Sequence, residues 1–267
     1  MSIIGKTMRL SEIIDPTIER SVLVEVDREF PSKTHCGREM DAIMPRLARC
    51  EIDGIIMEMN NAKKYIHYFH GKDAPALLIR MSPSGAFGTT YDATNQEAKP
   101  NAKCSSGREV LGIGASAAVG HFFVGHEKDQ DEAWNFAWIS GIIGECDELG
   151  IPLIVEAIPI GDRATRDDYS DCAGLAARMA SEAGASCVAI PYTGSPETLR
   201  KVTDSTGVPT YLVELREKLS IGQPDYKLEA LVPIIIETKM CGMIISPPGD
   251  VTELERINRL AARFRGG

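Results

Sequence analysis

Short apolar runs recur along the 267-residue chain and alternate with longer amphipathic stretches. Most runs are rich in Val, Ile and Leu at consecutive positions, which is typical of parallel strands covered on both faces. Eight such runs predict β-strands at 21–27, 53–59, 75–81, 116–124, 151–159, 186–191, 208–215 and 241–247. The pattern therefore predicts a parallel sheet with helices packed over its surface.

The stretches between these runs have helical spacing and recognisable ends. Helices are predicted at 61–71, 132–150, 171–185, 195–207 and 252–264. The helix at 132–150 stops at a glycine, and the one at 195–207 begins with Ser, Pro and Glu, as capped helices do. The connections at 82–107 and 216–233 are predicted to be extended, and loops of such length in a compact domain often carry function.

Eight strand–helix units in a chain of this length predict a (β/α)₈ TIM barrel made by a single domain, residues 1–267. A Rossmann-like open sheet is the alternative. No GxGxxG motif follows the first predicted strand, which disfavours that alternative.

Composition narrows the class of protein and the kind of partner. Hydrophobic residues make up 43% and charged residues 25%, as in ordinary globular proteins. The net charge of −9 argues against nucleic acid or an anionic membrane surface as the main partner. No run approaches the roughly 20 apolar residues of a membrane span. Seven cysteines without a CxxC pair are typical of reduced thiols, so we expect a cytoplasmic protein.

Polar residues cluster near the carboxyl ends of the predicted strands, where a TIM barrel places its active site. Burying charged groups inside apolar strands costs free energy unless the groups are paired or serve a function. Each of them alone fits a structural ion pair or a hydrogen-bonded core residue. Their occurrence on most of the strands favours a shared small-molecule site. The residues are Glu25, Asp27, Glu58, Arg80, Ser82, His121, Glu156, Tyr192, Glu214 and Ser246.

Four segments resemble the DhnA-type class I aldolases. They are DGIIMEMNNAKKYIHYFHGKDAPALLIRMSPSG, GASAAVGHFFVG, GIPLIVEAIPIG and AARMASEAGASCVAIPYTGSPETLRKV, between residues 40 and 210. That family includes archaeal fructose-bisphosphate aldolases, aminodideoxyheptulosonate synthases and the thiolase of autoinducer-2 breakdown. The resemblance implies a TIM barrel, lyase chemistry and a homo-oligomer.

The resemblance also implies residues that this chain lacks. Family members form a Schiff base with a lysine on strand six and use a tyrosine near the end of strand five as acid and base. The matching positions are Ala189 and Ile158. The implied phosphate cradle, glycines after strand seven and a Gly-Arg pair after strand eight, reads Val-Glu-Leu at 213–215 and Ser-Pro-Pro at 246–248. A glutamate there would repel a phosphate, so we expect a divergent branch.

We expect a lyase or related carbon–carbon bond enzyme acting on a small polar carbonyl compound. The predicted catalytic residues are Asp27, His121 and Glu156, and the predicted substrate-binding residues are Arg80, Ser82, Tyr192 and Glu214. Asp27 matches the aspartate that closes strand one in the family. If Ile158 replaces an inward-facing residue of the family, strand alternation places Glu156 inward as well. By the same alternation Glu25 shares a face with Asp27.

Two versions of the chemistry stay open at this point. A carboxylate-rich pocket could hold a divalent metal that replaces the iminium as electron sink. Alternatively, a glutamate could act as general base without metal. In both versions Arg80 anchors a carboxylate or phosphate of the substrate.

Two other functions compete with this one. A relocated Schiff-base lysine is the first, with Lys33 as the main candidate, because Lys201 lies in a predicted helix and Lys239 precedes strand eight. The second is a non-catalytic barrel that serves as a binding or assembly subunit. Convergence of the strand-end charges would separate an enzyme from such a barrel. Cys187, deep in strand six, is predicted to be an inert core thiol.

Overall fold

Eight parallel strands close into a barrel in chain order, which confirms the predicted TIM barrel. The computed structural model describes residues 2–26, 36–82, 104–126, 128–160, 163–165, 167–215, 222–246 and 250–266. The strands are β1 (Ser21–Glu25), β2 (Gly54–Glu58), β3 (Ala76–Arg80), β4 (Ala117–Val124), β5 (Leu153–Pro159), β6 (Cys187–Ile190), β7 (Thr210–Val213) and β8 (Gly242–Ile245). Each lies within the range predicted for it.

Helices follow the strands and cover the barrel. They are α1 (Ser2–Leu10), α2 (Cys36–Leu47), α3 (Met59–Tyr65), α4 (Gly107–Gly112), α5 (Asp129–Leu149), α6 (Tyr169–Glu182), α7 (Pro196–Thr206), α8 (Leu228–Glu237) and α9 (Glu253–Gly266). A 3₁₀ turn at Ile66–Phe69 extends α3. Within the described residues, no helix is both long and apolar enough to cross a bilayer.

Helix α8 corrects one prediction, because it begins inside the segment 216–233 that was expected to be an extended connection. Its sequence, LEALVPIIIE, is apolar on nearly every side and contains Pro233. It therefore lacks the amphipathic period by which a surface helix is recognised. Helices α1, α2 and α4 were also not predicted.

Alternation along the strands divides the core into two layers. On β1, Val22 and Val24 point outward and pack in the cluster beneath the helices. Leu23 points inward and packs with inward residues of the other strands, such as Ile56 and Ala189. Both faces are thus buried, which explains why the strands are apolar at consecutive positions.

The segment around α1 closes the end of the barrel where the strands begin. Ile13 is fully buried among the inward residues of the strands. Arg9 Nη1 donates to the carbonyl of Gly150 at 2.9 Å, and Lys6 pairs with Asp147 at 2.9 Å, which ties α1 to the end of α5. A polar site is therefore expected at the opposite end of the barrel, where the strands finish.

Candidate active site

A buried ionic cluster lies inside the barrel at the carboxyl ends of the strands. Arg80, the last residue of β3, places its guanidinium against Glu25 of β1 and Glu156 of β5. The distance from Arg80 Nη1 to Glu156 Oε2 is 3.0 Å. All three side chains are fully buried. Alternate strands contribute them, as is usual for one layer of a TIM-barrel interior.

His121 joins this cluster from β4. The strand register sets it directly beside Glu156, and its Nε2 lies 2.7 Å from Glu156 Oε2. Its Nδ1 lies 2.8 Å from Ser82 Oγ. Phe123, two residues along the same strand, stacks on the imidazole with 5.2 Å between ring centroids. The ring is thus held on both nitrogens and on one face.

These contacts define which nitrogen of a neutral His121 carries the proton. An ionised Glu156 can only accept, so the proton between Nε2 and Oε2 belongs to Nε2. Nδ1 then accepts from the Ser82 hydroxyl, whose oxygen accepts the His121 backbone N–H at 3.2 Å. Arg80 Nη1 donates to the same Oε2. Arg80 Nη1 also lies 3.0 Å from His121 Nε2, because both nitrogens donate to this one oxygen.

The His121–Glu156 contact joins a base to a carboxylate, and it can be made with one proton or with two. With one proton it is a neutral imidazole beside a carboxylate, and with two it is an imidazolium beside that carboxylate. The pair is therefore suited both to take up a proton and to release one.

Beside this pair the barrel carries small and apolar side chains. The strand register places Ala189 next to Glu156, and Ile158 next to Phe123. Both Ala189 and Ile158 are fully buried. The two positions predicted to have lost a nucleophile and an acid therefore line the barrel near the cluster, and neither supplies a titratable group.

No lysine lies on any of the eight strands. Lys201 is on α7, where it pairs with Asp171 at the surface at 3.4 Å. Lys239 precedes β8, at the end of the barrel that α1 closes. Lys33, the main candidate for a relocated Schiff base, lies outside the described residues, as does the predicted catalytic residue Asp27.

Two predicted site residues have partners outside the cluster. The ring of Tyr192 meets that of Tyr226 edge-on, with 5.6 Å between centroids. Glu214, directly after β7, follows the inward-facing Val213 and turns outward to Arg256 on α9, with 2.6 Å between Arg256 Nη2 and Oε1. The structure thus brings Arg80, Ser82, His121 and Glu156 together and does not bring Glu214 or Tyr192 to them.

Glu25 belongs to the cluster and was not among the residues predicted to be catalytic. The sequence did mark Glu25 as a candidate, since a charged residue within an apolar strand needs a partner or a function. Alternation also gave it the same face as Asp27. Asp27 itself lies outside the described residues, so its catalytic role stays a prediction.

Within the described part of the chain, no group of three or more His, Cys, Asp or Glu side chains could hold a metal ion. The position between Glu25 and Glu156 is taken by the Arg80 guanidinium, whose positive charge would repel a cation placed there.

Cys187 behaves as the sequence analysis expected of a core thiol. It lies inward on β6 and is fully buried, and this burial raises the pKa of its thiol to about 12. The reactive thiolate is therefore scarce at neutral pH. No nucleophilic role follows for it.

Comparison with known proteins identifies the family of this chain. The sequence matches the DeoC/LacD family of aldolases over residues 23–222, which is more than half of the chain. The chain belongs to the DeoC/LacD aldolase family. Its relatives are DhnA-type aldolases, as the resemblance predicted.

The curated relatives of this family member are distant but cover much of the chain. An uncharacterized aldolase from Saccharolobus solfataricus is 25% identical over 201 residues, 74% of this chain and 72% of the relative. A 2-amino-3,7-dideoxy-D-threo-hept-6-ulosonate synthase from Halobacterium salinarum is 25% identical over 211 residues, 78% and 73% of the two chains. A class 1 fructose-bisphosphate aldolase from Thermoproteus tenax is 29% identical over 155 residues, 57% and 53% of the two chains.

Solved structures confirm the aldolase barrel as a fold. An archaeal fructose-1,6-bisphosphate aldolase, with its catalytic lysine covalently bound to the carbinolamine intermediate, superimposes with a TM-score of 0.73. The match covers 97% of this chain and 99% of that one at 19% identity. At such identity the likeness concerns the fold, and the chemistry of this chain depends on its own residues.

Proposed function

We propose that this aldolase-family protein is a lyase that breaks or forms a carbon–carbon bond next to a carbonyl group without a Schiff base. The observation that carries the proposal is the buried Arg80, held between Glu25 and Glu156 and touching His121, at the strand ends beside Ala189. Its substrate is a small polar carbonyl compound.

Arg80 stabilises the oxyanion of the enolate in this proposal. Cleavage next to a carbonyl leaves an electron pair that is delocalised onto the carbonyl oxygen as an enolate. A fixed positive charge in a site withdrawn from water stabilises such an oxyanion strongly, because its orientation is set before the reaction. The contacts of Arg80 with Glu25 and Glu156 fix the guanidinium in this way.

His121 and Glu156 act as the proton-transfer pair. In the cleavage direction the pair takes the proton of the β-hydroxyl group, and the electrons of that O–H bond form the carbonyl of the released aldehyde. The carbon–carbon bond breaks, and its electrons form the enolate. The pair then returns the proton to the enolate carbon, so no outside reagent is consumed. Ser82 positions the imidazole through Nδ1.

The direct test is exchange of carbon-bound protons, which needs only the carbonyl half of a substrate. The protein is incubated in D₂O with hydroxyacetone, dihydroxyacetone or pyruvate, and loss of the α-proton signals is followed by NMR. We expect exchange with wild type, slower exchange with Glu156→Gln, and no borohydride-trapped mass adduct.

Two outcomes would favour the competing functions. A borohydride-trapped adduct on a lysine would replace this mechanism by a relocated Schiff base, and peptide mapping would show whether Lys33 carries it. Absence of exchange across the panel by a correctly folded protein would favour a non-catalytic barrel. The convergence of Arg80, His121 and Glu156 argues against that barrel, since a structural role would be met by separate ion pairs.

A further inference from the structure

The ends of β7 and β8 are joined by an unusual set of contacts. Glu214 and Ser246 are the first residues after these strands. The Glu214 backbone N–H donates to the carbonyl of Ile244 at 2.9 Å. The Ser246 hydroxyl donates to the Glu214 carbonyl at 2.8 Å. Both residues are therefore fixed at the carboxyl end of the barrel.

The Glu214 carboxylate is enclosed by donors. It accepts the Ser246 backbone N–H at 3.0 Å through Oε2. Its Oε1 lies 2.6 Å from Arg256 Nη2, and Arg256 Nη1 approaches Oε2 at 3.4 Å. Glu214 is only 8% exposed. Arg256 is held from its other side by Glu229, at 2.5 Å from Nε.

A backbone N–H at a strand end together with an arginine fork is the chemistry that binds anions. In TIM barrels the loops after strands seven and eight frequently form a phosphate site. Here both donors are already engaged by a carboxylate of the protein itself. A phosphate approaching Ser246 N–H would meet the negative charge of Glu214.

We propose that Glu214 is a built-in anion that fills a phosphate-binding position and thereby selects unphosphorylated carbonyl substrates. The substrate part of this inference rests on the proposed function. The inference that Glu214 fills this position is independent of the proposed function. It concerns only the donors Ser246 N–H and Arg256 and the carboxylate that they bind.

The test measures binding of inorganic phosphate by thermal shift and calorimetry, with ionic strength held constant by NaCl. Wild type is compared with Glu214→Ala, which frees both donors. Glu229→Ala is the matched control, because it also removes a carboxylate from Arg256 but leaves Ser246 N–H engaged. We expect phosphate to stabilise Glu214→Ala and to leave wild type and Glu229→Ala unchanged.

Glu214→Gln covers the case in which the alanine variant folds poorly, since it keeps the volume and removes the charge. We expect it to gain at least tenfold in phosphate affinity over wild type. Loss of this gain in Glu214→Gln/Arg256→Ala would assign it to the described donors. Equal phosphate affinity in wild type and both Glu214 variants would overturn the proposal.

A second readout addresses the substrate. Exchange rates are compared for dihydroxyacetone and its phosphate, and we expect the preference of wild type for the unphosphorylated compound to fall about tenfold or more in Glu214→Gln. A wild-type preference for the phosphate would overturn the inference. If no exchange occurs with either compound, the proposed function fails, while the phosphate-binding experiment still decides the role of Glu214.

Discussion

His121 and Glu156 lie side by side on β4 and β5, with 2.7 Å between Nε2 and Oε2. The imidazole is fixed from its other nitrogen by Ser82, at 2.8 Å. The pair can therefore exchange a proton without rotating the ring, which is what general acid–base catalysis requires of its groups.

The first prediction is that Glu156→Gln lowers the rate of α-proton exchange by about 10² to 10⁴-fold. Glutamine keeps the shape of the side chain but cannot take the proton from Nε2. Ser82→Ala should lower the rate much less, because Ser82 orients the ring and does not exchange the proton. The measurement is exchange in D₂O over a range of pH. A larger loss in Ser82→Ala than in Glu156→Gln would contradict these roles.

The second prediction concerns stability. Arg80→Met leaves Glu25 and Glu156 buried without their cation, which should cost about 3–5 kcal/mol of unfolding free energy. Adding Glu25→Gln and Glu156→Gln should recover much of that loss, because the uncompensated charges are gone. Urea denaturation measures both effects.

The control for this experiment is Arg178→Met. Arg178 forms an exposed pair with Glu182 at 2.7 Å on α6, and such surface pairs contribute little to stability. If Arg80→Met were no more costly than Arg178→Met, the cluster would not hold the charges inferred for it.

The third prediction is that chelation leaves this protein unchanged. Arg80 occupies the position between the two glutamates, so we expect the same melting temperature and exchange rate with EDTA, Mg²⁺, Mn²⁺ or Zn²⁺. A stabilising shift with one ion that Glu156→Gln abolishes would support the metal-assisted version instead. Glu237→Gln, at the surface pair with Arg200, controls for a general effect of removing a carboxylate.

The fold was predictable because parallel strands that are buried on both faces consist of consecutive apolar residues. The inward direction of Glu156 followed from the family resemblance, since Ile158 matches a family site residue and supplied a reference position on the same strand. No such reference existed for Glu214. The residues around it on β7, Tyr-Leu-Val, are apolar on both faces, so the sequence does not show which face Glu214 takes.

The cluster itself was only partly predictable. Arg80, His121 and Glu156 stood out as charges in apolar strands, but their contacts depend on the stagger between strands, which a single sequence does not give. The same limit hid the contact between Glu25 and Arg80. Helix α8 was missed for another reason, its lack of a polar face around Pro233.

The last prediction is a loss of stability on acidification through His126, which follows β4. His126 is 7% exposed, and its Nε2 accepts from Asn135 Nδ2 at 3.0 Å. Burial lowers the pKa of His126, against the opposing effect of Glu132 and Asp131. A depressed histidine pKa means that the unfolded chain binds the proton more readily than the folded one.

The stabilising contribution of neutral His126 is therefore present above the unfolded value, about 6.5, and is lost as pH falls below it. We expect the unfolding free energy of wild type to decrease between pH 7.5 and pH 5, and this decrease to be smaller in His126→Gln, whose amide oxygen can still accept from Asn135. The exposed His70→Gln is the control, and urea denaturation at several pH values is the measurement. Equal pH dependence in wild type and His126→Gln would show that the pKa of His126 does not differ between the folded and the unfolded chain. Other groups would then set the stability in acid.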